Sequence, residues 1–429
     1  MTRSITAAVE DLKSSIRHSL SPDLITRACI EAGHQWRERT LNPVTTIWMF
    51  TLQILHGNTS CQHAVKLVPE VSATDGAYCQ ARARIPLSAF EALVRRTTEL
   101  LLRSIDVACE RWHGHRVFFI DGSSCTMPDT PELQSAFGQP TGQEHGCGFP
   151  MANLVGLFHR SGLLVKMIVN PLYTSEARIA SQVFDCLLPG DVLVGDRAYS
   201  SYVNLALLRR RELHAVVREH ARRPVDFRRG RRIAKNDQII VRAKPARRPH
   251  WMTEEQFDRL PDRLELRQLR YRVATDGYRS DEVVLITTLL DAEAYPLEEL
   301  AQLYGERWEA ETCLRHLKQT MGMDMLRCKT ASGVRKELAI YAVAYNLVRS
   351  IMVRAGINQG VPPNRISLID VIRWICLGTS GARELPHFVV NPRRPGRTQP
   401  RAVKRRLKQY ARLTHPRSEM RKVMETWIL

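Results

Sequence analysis

Carboxylates are in short supply in this chain. Its 429 residues include 44 Asp and Glu against 63 Lys and Arg, giving a formal net charge of +19 and a pI of about 9.8. Such an excess argues against an enzyme of small metabolites and points to an acidic macromolecular partner, nucleic acid before membrane. No run of eighteen apolar residues is present, so no membrane span and no membrane partner are expected. The opening MTRSITAAVEDLKSS has charges where a signal peptide needs an apolar core, so a cytoplasmic, nucleoid-associated location is expected. The ten cysteines contain no CxxC pair and no metal-ligand spacing. They read as reduced core thiols, and with the histidines equally dispersed no zinc site is expected. Internal repeats are missing too.

What is present is a chain long enough for two or three domains, with 44% hydrophobic residues to build their cores. Residues 1–110 read as helices, because apolar residues recur at three and four in TTIWMFTLQILHG and FEALVRRTTELLLRSI. This region is expected to be a helical accessory or DNA-binding domain. Its Arg82 and Arg84 are candidates for DNA contact or for a solvated turn.

From 111 to 220 the pattern changes. The run Val117–Ile120 suits a buried strand with Asp121 at its tip. ANLVGLFH and LLVKMIVNPLY flank Arg160, Ser161 and Gly162 and pair as a hairpin. SEARIASQVFDCLL reads as a helix capped by Ser175. DVLVG is a second buried strand ending at Asp196, followed by a helix, SSYVNLALLRRREL, and a strand, HAVVRE. That order is the order of an RNase H-like fold. Residues 221–292 interrupt it with a basic cluster, including Arg228, Arg229, Arg231 and Arg232, and with runs of β character. They are expected to form an inserted small sheet. Residues 293–350 resume the core, with Pro296 as the first residue of a helix. Residues 351–429 are expected to be helical and Arg-rich, with a flexible or docking segment over 393–412. The expected fold class is α/β: an RNase H-like catalytic core interrupted by a β-rich insertion, with a helical N-terminal domain and a helical C-terminal region.

The stretch YGERWEAETCLRHLK supplies the most specific pattern. Tyr304, Arg307, Glu311 and Lys318 are spaced by three, four and seven, and on one helix at about 100° per residue they fall within roughly 60° of arc. Glu306 and Glu309 point away from that face. A carboxylate among cations suits a metal ligand acting on a polyanion, although a solvated face with ion pairs is the commoner meaning of such a stretch alone. Asp121 and Asp196, at the ends of strands expected to be adjacent and parallel, shift the balance. Three acids brought together repel, and divalent metal relieves the repulsion. Oxygen-only ligands favour Mg²⁺ or Mn²⁺ over zinc.

FFIDGSSCTMPDTPELQSAFG, VLVGDRAYSSY and Tyr304-x2-Arg307-x3-Glu311-x6-Lys318 together resemble the three motifs of DDE-type transposases of the bacterial insertion sequence 4 family, over most of the chain to about residue 350. The resemblance implies that Asp121, Asp196 and Glu311 are catalytic and bind two Mg²⁺ ions. It implies that Tyr304, Arg307 and Lys318 hold transposon-end phosphates, and that a β-domain is inserted between the second Asp and the Glu. It implies cleavage of element ends, 3′-hydroxyl strand transfer into target DNA, and a homo-oligomer on DNA that recognises terminal inverted repeats. Arg197 is a candidate for a phosphate or for an ion pair. Trp251 and Tyr271 are candidates for a flipped base or for burial in the small sheet, Asp129 and Glu132 for supporting groups or a helix start at Pro131, and Trp308 for the core. A DDE-type endonuclease that cuts without joining and a catalytically inactive DNA-binding relic are the alternatives.

Overall fold

The structure, a computed structural model, describes residues 20–69, 71–106, 111–273, 281–377, 385–391 and 413–426. The Arg-rich segment 393–412 lies outside the described residues. In chain order the elements are α1 (Pro22–Glu31), α2 (Pro43–Leu55), α3 (Cys61–Lys66), α4 (Asp75–Arg84), α5 (Leu87–Asp106), β1 (Val117–Thr126), α6 (Pro131–Phe137), β2 (Met151–His159), β3 (Leu164–Pro171), α7 (Glu176–Ser181), β4 (Val192–Gly195), α8 (Tyr202–Arg210), β5 (His214–Arg218), β6 (Arg231–Ala234), β7 (Asp237–Ala243), α9 (Glu254–Asp258), β8 (Arg263–Val273), β9 (Asp281–Thr287), α10 (Leu297–Gly305), α11 (Trp308–Arg315), α12 (Ala331–Gln359), α13 (Leu368–Leu377) and α14 (Arg417–Thr426). The fold is mixed α/β with mostly antiparallel strand pairing. Many helices begin where a short polar side chain accepts an early N–H: Ser21, Asn42, Ser60, Thr74, Thr130, Ser201 and Thr330 do so. Pro296 sits one position earlier than expected, as the residue before α10.

The chain divides into two compact units. The first comprises Met1–Met127, Leu154–Val169 and Trp308–Pro392. Its core helix is α12, which packs on α2 and α5. By length and composition α12 is apolar enough to cross a membrane, although it contains no unbroken run of eighteen apolar residues, but it is mostly buried inside the protein. It also carries polar residues that tie down distant chain. Asn346 pairs with both backbone groups of Leu164, Tyr345 donates to the Gly162 carbonyl at 2.9 Å and Arg349 to the Ser161 carbonyl at 2.6 Å. The expected β2–β3 hairpin is therefore present, with its turn held by α12. Glu337, fully buried, accepts from Asn58 Nδ2 at 2.6 Å and from the N–H groups of Arg327 and Cys328, each at 2.9 Å. These bonds fix the segment that runs beside the end of β1. There Thr126 donates to the Asp324 carbonyl and accepts from Leu326, both at 2.9 Å.

Those bonds explain a correction. Asp121 is not at the tip of a four-residue strand; β1 continues through it to Thr126, changing from fully buried at Val117–Ile120 to half-buried over Asp121–Ser124, with Cys125 buried again. The polar half reads locally as a loop because its stabilising partner comes from about two hundred residues away. The reduced-core reading of the cysteines also fails at Cys79, which is exposed.

The second unit comprises Pro128–Asn153, Asn170–Arg307 and Arg393–Leu429. Here β4 and β5 are parallel, and the strands run in the order β4-β5-β9-β8-β7-β6. The strands read as a separate small sheet are thus continuous with β5, because β9 pairs antiparallel with it from Val216 to Arg218. Buried charge is paired inside this sheet: Arg267 with Asp237 at 2.5 Å, and Arg242 with Glu219 at 2.6 Å. The helix expected over SEARIASQVFDCLL is only the six residues of α7 plus a separate 3-10 turn at Phe184–Cys186, and Ser175 makes no capping bond.

Candidate active site and nucleic-acid interface

The four residues Tyr304, Arg307, Glu311 and Lys318 do not share one continuous helix. Helix α10 closes at Gly305, residues 306–307 form a turn, α11 runs to Arg315 and a π-helical turn follows over His316–Thr320. The wider turn, with Met321 donating to the His316 carbonyl at 2.9 Å, changes the angular step that the 100° projection assumed. Tyr304 and Arg307 belong to the second unit, Glu311 and Lys318 to the first.

In the first unit α11 packs against β1, the helix carrying Glu311 on the strand carrying Asp121. The contact is fastened at the π turn, where Lys318 Nζ donates to Ser123 Oγ at 3.0 Å, two residues beyond Asp121. Asp121 Oδ1 accepts the Gly122 N–H at 2.9 Å, which orients the carboxylate. Trp308, expected in the core, is 65% exposed. Glu309 is half-buried and accepts from Asn364 Nδ2 at 2.7 Å.

In the second unit Asp196 directly follows β4 and caps a 3-10 turn, Arg197–Tyr199, accepting from Ala198 N–H at 2.8 Å. Helix α10 packs on β4 and β5. Burial pushes the Tyr304 phenol up; Arg307 and Arg218 pull against it, and the nearby Asp196 charge adds to it. The Arg307 guanidinium stands 5.7 Å from the Tyr304 ring centroid. Tyr271 is raised to about 12, by burial first and then by Tyr304, with Arg218 opposing. Asp196, Tyr304, Arg307, Tyr271 and Arg218 therefore form one electrostatic neighbourhood.

Arg218 was missed from sequence. Its signal was the register: β4 and β5 are parallel with Gly195 opposite Val217, and the residues that follow these two are Asp196 and Arg218.

The other candidates separate. Arg197 is exposed. Arg228 and Arg229 are exposed and share Asp226, while Arg231 and Arg232 lie exposed on β6, the edge of the second unit's sheet. Trp251 is not in the sheet; it lies half-buried between β7 and α9, lining a cavity of 380 Å³ with Leu207, Arg210, Arg211 and Arg259. Asp129 is structural, bonding Gln134 and lying 3.6 Å from Arg417. Arg82 is no solvated turn: its guanidinium lies 3.7 Å over the Phe50 ring. Arg84 is exposed and lines a 440 Å³ cavity with Arg37, Arg39 and a stacked His34–Trp36 pair, aromatic and basic groups that sequence reading passed over.

Within neither unit do three or more His, Cys, Asp or Glu side chains among the described residues gather at metal-binding distance. Asp121 and Glu311 belong to the first unit and Asp196 to the second. Carboxylates alone, with a lysine and an arginine in their neighbourhoods, are donors that fit a hard divalent ion acting on phosphate.

The profile of the transposase DDE domain matches residues 112–347, more than half of the chain. The chain belongs to the DDE transposases. It is 26% identical over 430 residues to the transposase InsG for insertion sequence element IS4 of Escherichia coli (strain K12), a match spanning 92% of this chain and 93% of that one. The family is that of insertion sequence 4, as the three motifs led us to expect. A cryo-EM structure of the piggyBac transposase synaptic complex with hairpin DNA aligns with 87% of this chain and 80% of its own, at 9% identity and a TM-score of 0.45.

The π turn of this transposase also has a pH signature. Burial, then the Arg349 and Arg315 charges, pull His316 from its ordinary 6.5 down to about 4. Because the folded imidazole is the weaker base, its contribution is present above pH 6.5 and lost as the pH falls from 6.5 towards 4, a loss on the order of 3 kcal/mol. Urea unfolding at pH 7 and pH 4 should therefore show a smaller drop in stability for His316→Leu than for the parent. Parallel pH profiles would remove His316 as the cause.

Proposed function

We propose that this transposase cuts the ends of its insertion element by metal-dependent phosphodiester hydrolysis and joins the freed 3′-hydroxyl to target DNA. The observation that carries the reading is the packing of the Glu311 helix on the Asp121 strand, fastened by the Lys318–Ser123 bond. In this reading Asp121, Asp196 and Glu311 hold two Mg²⁺ ions, with Mn²⁺ as a substitute, inside an RNase H-like core. Such ions, when bound, activate the attacking hydroxyl and stabilise the leaving oxygen. The rest is done by the chain. Gly122 N–H keeps the Asp121 carboxylate oriented, and the Ala198 N–H does the same for Asp196. Lys318, Tyr304 and Arg307 hold the phosphates of the transposon end, and Arg218 adds positive charge beside Asp196. Arg197 and the exposed Arg228, Arg229, Arg231 and Arg232 supply phosphate contacts without sequence preference, and Trp251 takes an unstacked base. Two copies pair the terminal inverted repeats.

The test uses purified protein, a labelled element end and supercoiled plasmid. With Mg²⁺ the label should become covalently joined to the plasmid; in EDTA the protein should bind but not react, with affinity falling steeply between about 50 and 200 mM salt. Nicked ends without joined product would favour a DDE endonuclease. Salt-sensitive binding with no cleavage would favour an inactive DNA-binding relic.

A further inference from the structure

A cluster of thiols sits in the helical part of the first unit, and the chemistry proposed above does not use it. Cys61 opens α3 and Cys79 lies in α4, 18 residues on, yet their sulfurs are 3.2 Å apart. Arg82, on the same helix as Cys79, donates to Cys61 Sγ at 3.5 Å, to Gln53 Oε1 at 3.1 Å and to Cys328 Sγ at 3.0 Å. A buried guanidinium at the centre repels cations, so the cluster is unsuited to a metal. It is suited to electron-pair chemistry at sulfur. The two free thiols need to close by about 1 Å to reach disulfide length. Cys79 is exposed and Cys61 is half-buried.

We propose that Cys61 and Cys79 are an oxidisable dithiol whose substrate is a peroxide and whose product is an intramolecular disulfide joining α3 to α4. The exposed Cys79 acts first. Its thiolate attacks one peroxide oxygen, the O–O bond breaks, and the released oxygen leaves as water with the thiol's proton, giving a sulfenic acid on Cys79. Cys61 sulfur then attacks Cys79 sulfur; the S–O bond breaks and the hydroxide leaves as water with the Cys61 proton. Two thiols and one hydrogen peroxide give one disulfide and two waters, the peroxide taking the two electrons.

The order of events follows from the surroundings. Burial pushes the Cys61 thiol up to about 11, against the pull of Arg82, so Cys61 rests protonated and acts second. Burial raises Cys328 further, and it is held on the other Arg82 nitrogen, so it stays out of the reaction. The disulfide closes a short loop that contains α3 and the start of α4, a constraint that raises resistance to unfolding.

The experiment treats the reduced full-length protein with equimolar hydrogen peroxide, alkylates the remaining thiols and maps the peptides by mass spectrometry. A Cys61–Cys79 linked peptide is expected, two hydrogens lighter than the reduced pair and restored by dithiothreitol, with the oxidised protein melting several degrees higher. Cys61→Ser should leave Cys79 as a sulfenic acid trapped by dimedone, and Cys79→Ser should form no link. The parent readout needs no variant to fold. Recovery of both thiols fully alkylated, a link to Cys328 or a link between two chains would overturn the proposal. Since the readout is thiol chemistry, it stands or falls independently of DNA cleavage.

Discussion

Glu311→Gln lowers strand cleavage by about three orders of magnitude or more, whereas Glu309→Gln leaves it within about threefold of the parent. Glu306, Glu309 and Glu311 lie within six residues, and a carboxylate is all that each offers. Their surroundings differ. Glu306 closes α10 as its C-terminal cap. Glu309 is half-buried and its carboxylate accepts from Asn364, a bond that glutamine keeps through its carbonyl oxygen. Glu311 shares with Glu309 the helix that packs on the Asp121 strand, and it is the one with the motif spacing to Tyr304, Arg307 and Lys318. Losing its charge removes a metal ligand in the reading proposed here while preserving size and helix propensity, so circular dichroism and melting should match the parent. Gel assays of a labelled element end would measure both variants. An active Glu311→Gln with a dead Glu309→Gln would mean that the register chosen along α11 is wrong.

Gly162→Ala unfolds or severely destabilises the protein, by about 4 kcal/mol, without touching any proposed ligand. The turn needs Gly162 at φ +85°, where an L side chain is strained by about 1–2 kcal/mol. A methyl group there would also overlap the Arg349 guanidinium. Arg349 is among the largest fully buried side chains and cannot yield without giving up its bond to the Ser161 carbonyl, which leaves a buried cation poorly satisfied. Tyr345 loses its hold on the Gly162 carbonyl in the same displacement. Thermal melting of the purified variant measures the loss. A variant within about 1 kcal/mol of the parent would mean that the β2–β3 turn is not clamped by α12.

How much of this was legible beforehand depends on whether the deciding interaction was local. The buried strands Val192–Gly195 and His214–Arg218 and the helix Ala331–Gln359 declare themselves by unbroken or periodic apolar runs, and they appear close to where those runs lie. The second half of β1 was invisible, because Gly122, Ser123 and Ser124 have loop character and are drawn into a strand by chain near Asp324. The continuity of β5 with β9 was invisible for the same reason: β propensity says that a strand exists and nothing of which neighbour it takes. For the proposed site, Asp121 and Asp196 were read from strand ends and Glu311 from its motif spacing, and the resemblance to the family's three motifs joined them. The single-helix face did not survive, since a turn at 306–307 and a π turn at His316–Thr320 break the angular progression that the projection required. Lys318 still meets the β1 segment, through Ser123, by way of that π turn. Arg218 was readable only once the parallel register paired Gly195 with Val217, the residues just before Asp196 and Arg218.

The most direct test of the account is cleavage of a labelled duplex bearing the element's own end by the parent protein and by Asp196→Asn, each with Mg²⁺ and with EDTA. The account predicts cleavage by the parent with Mg²⁺ alone, none in EDTA, and none by Asp196→Asn although it binds the duplex as tightly. Cleavage that persists in EDTA, or in Asp196→Asn with Mg²⁺, would contradict it.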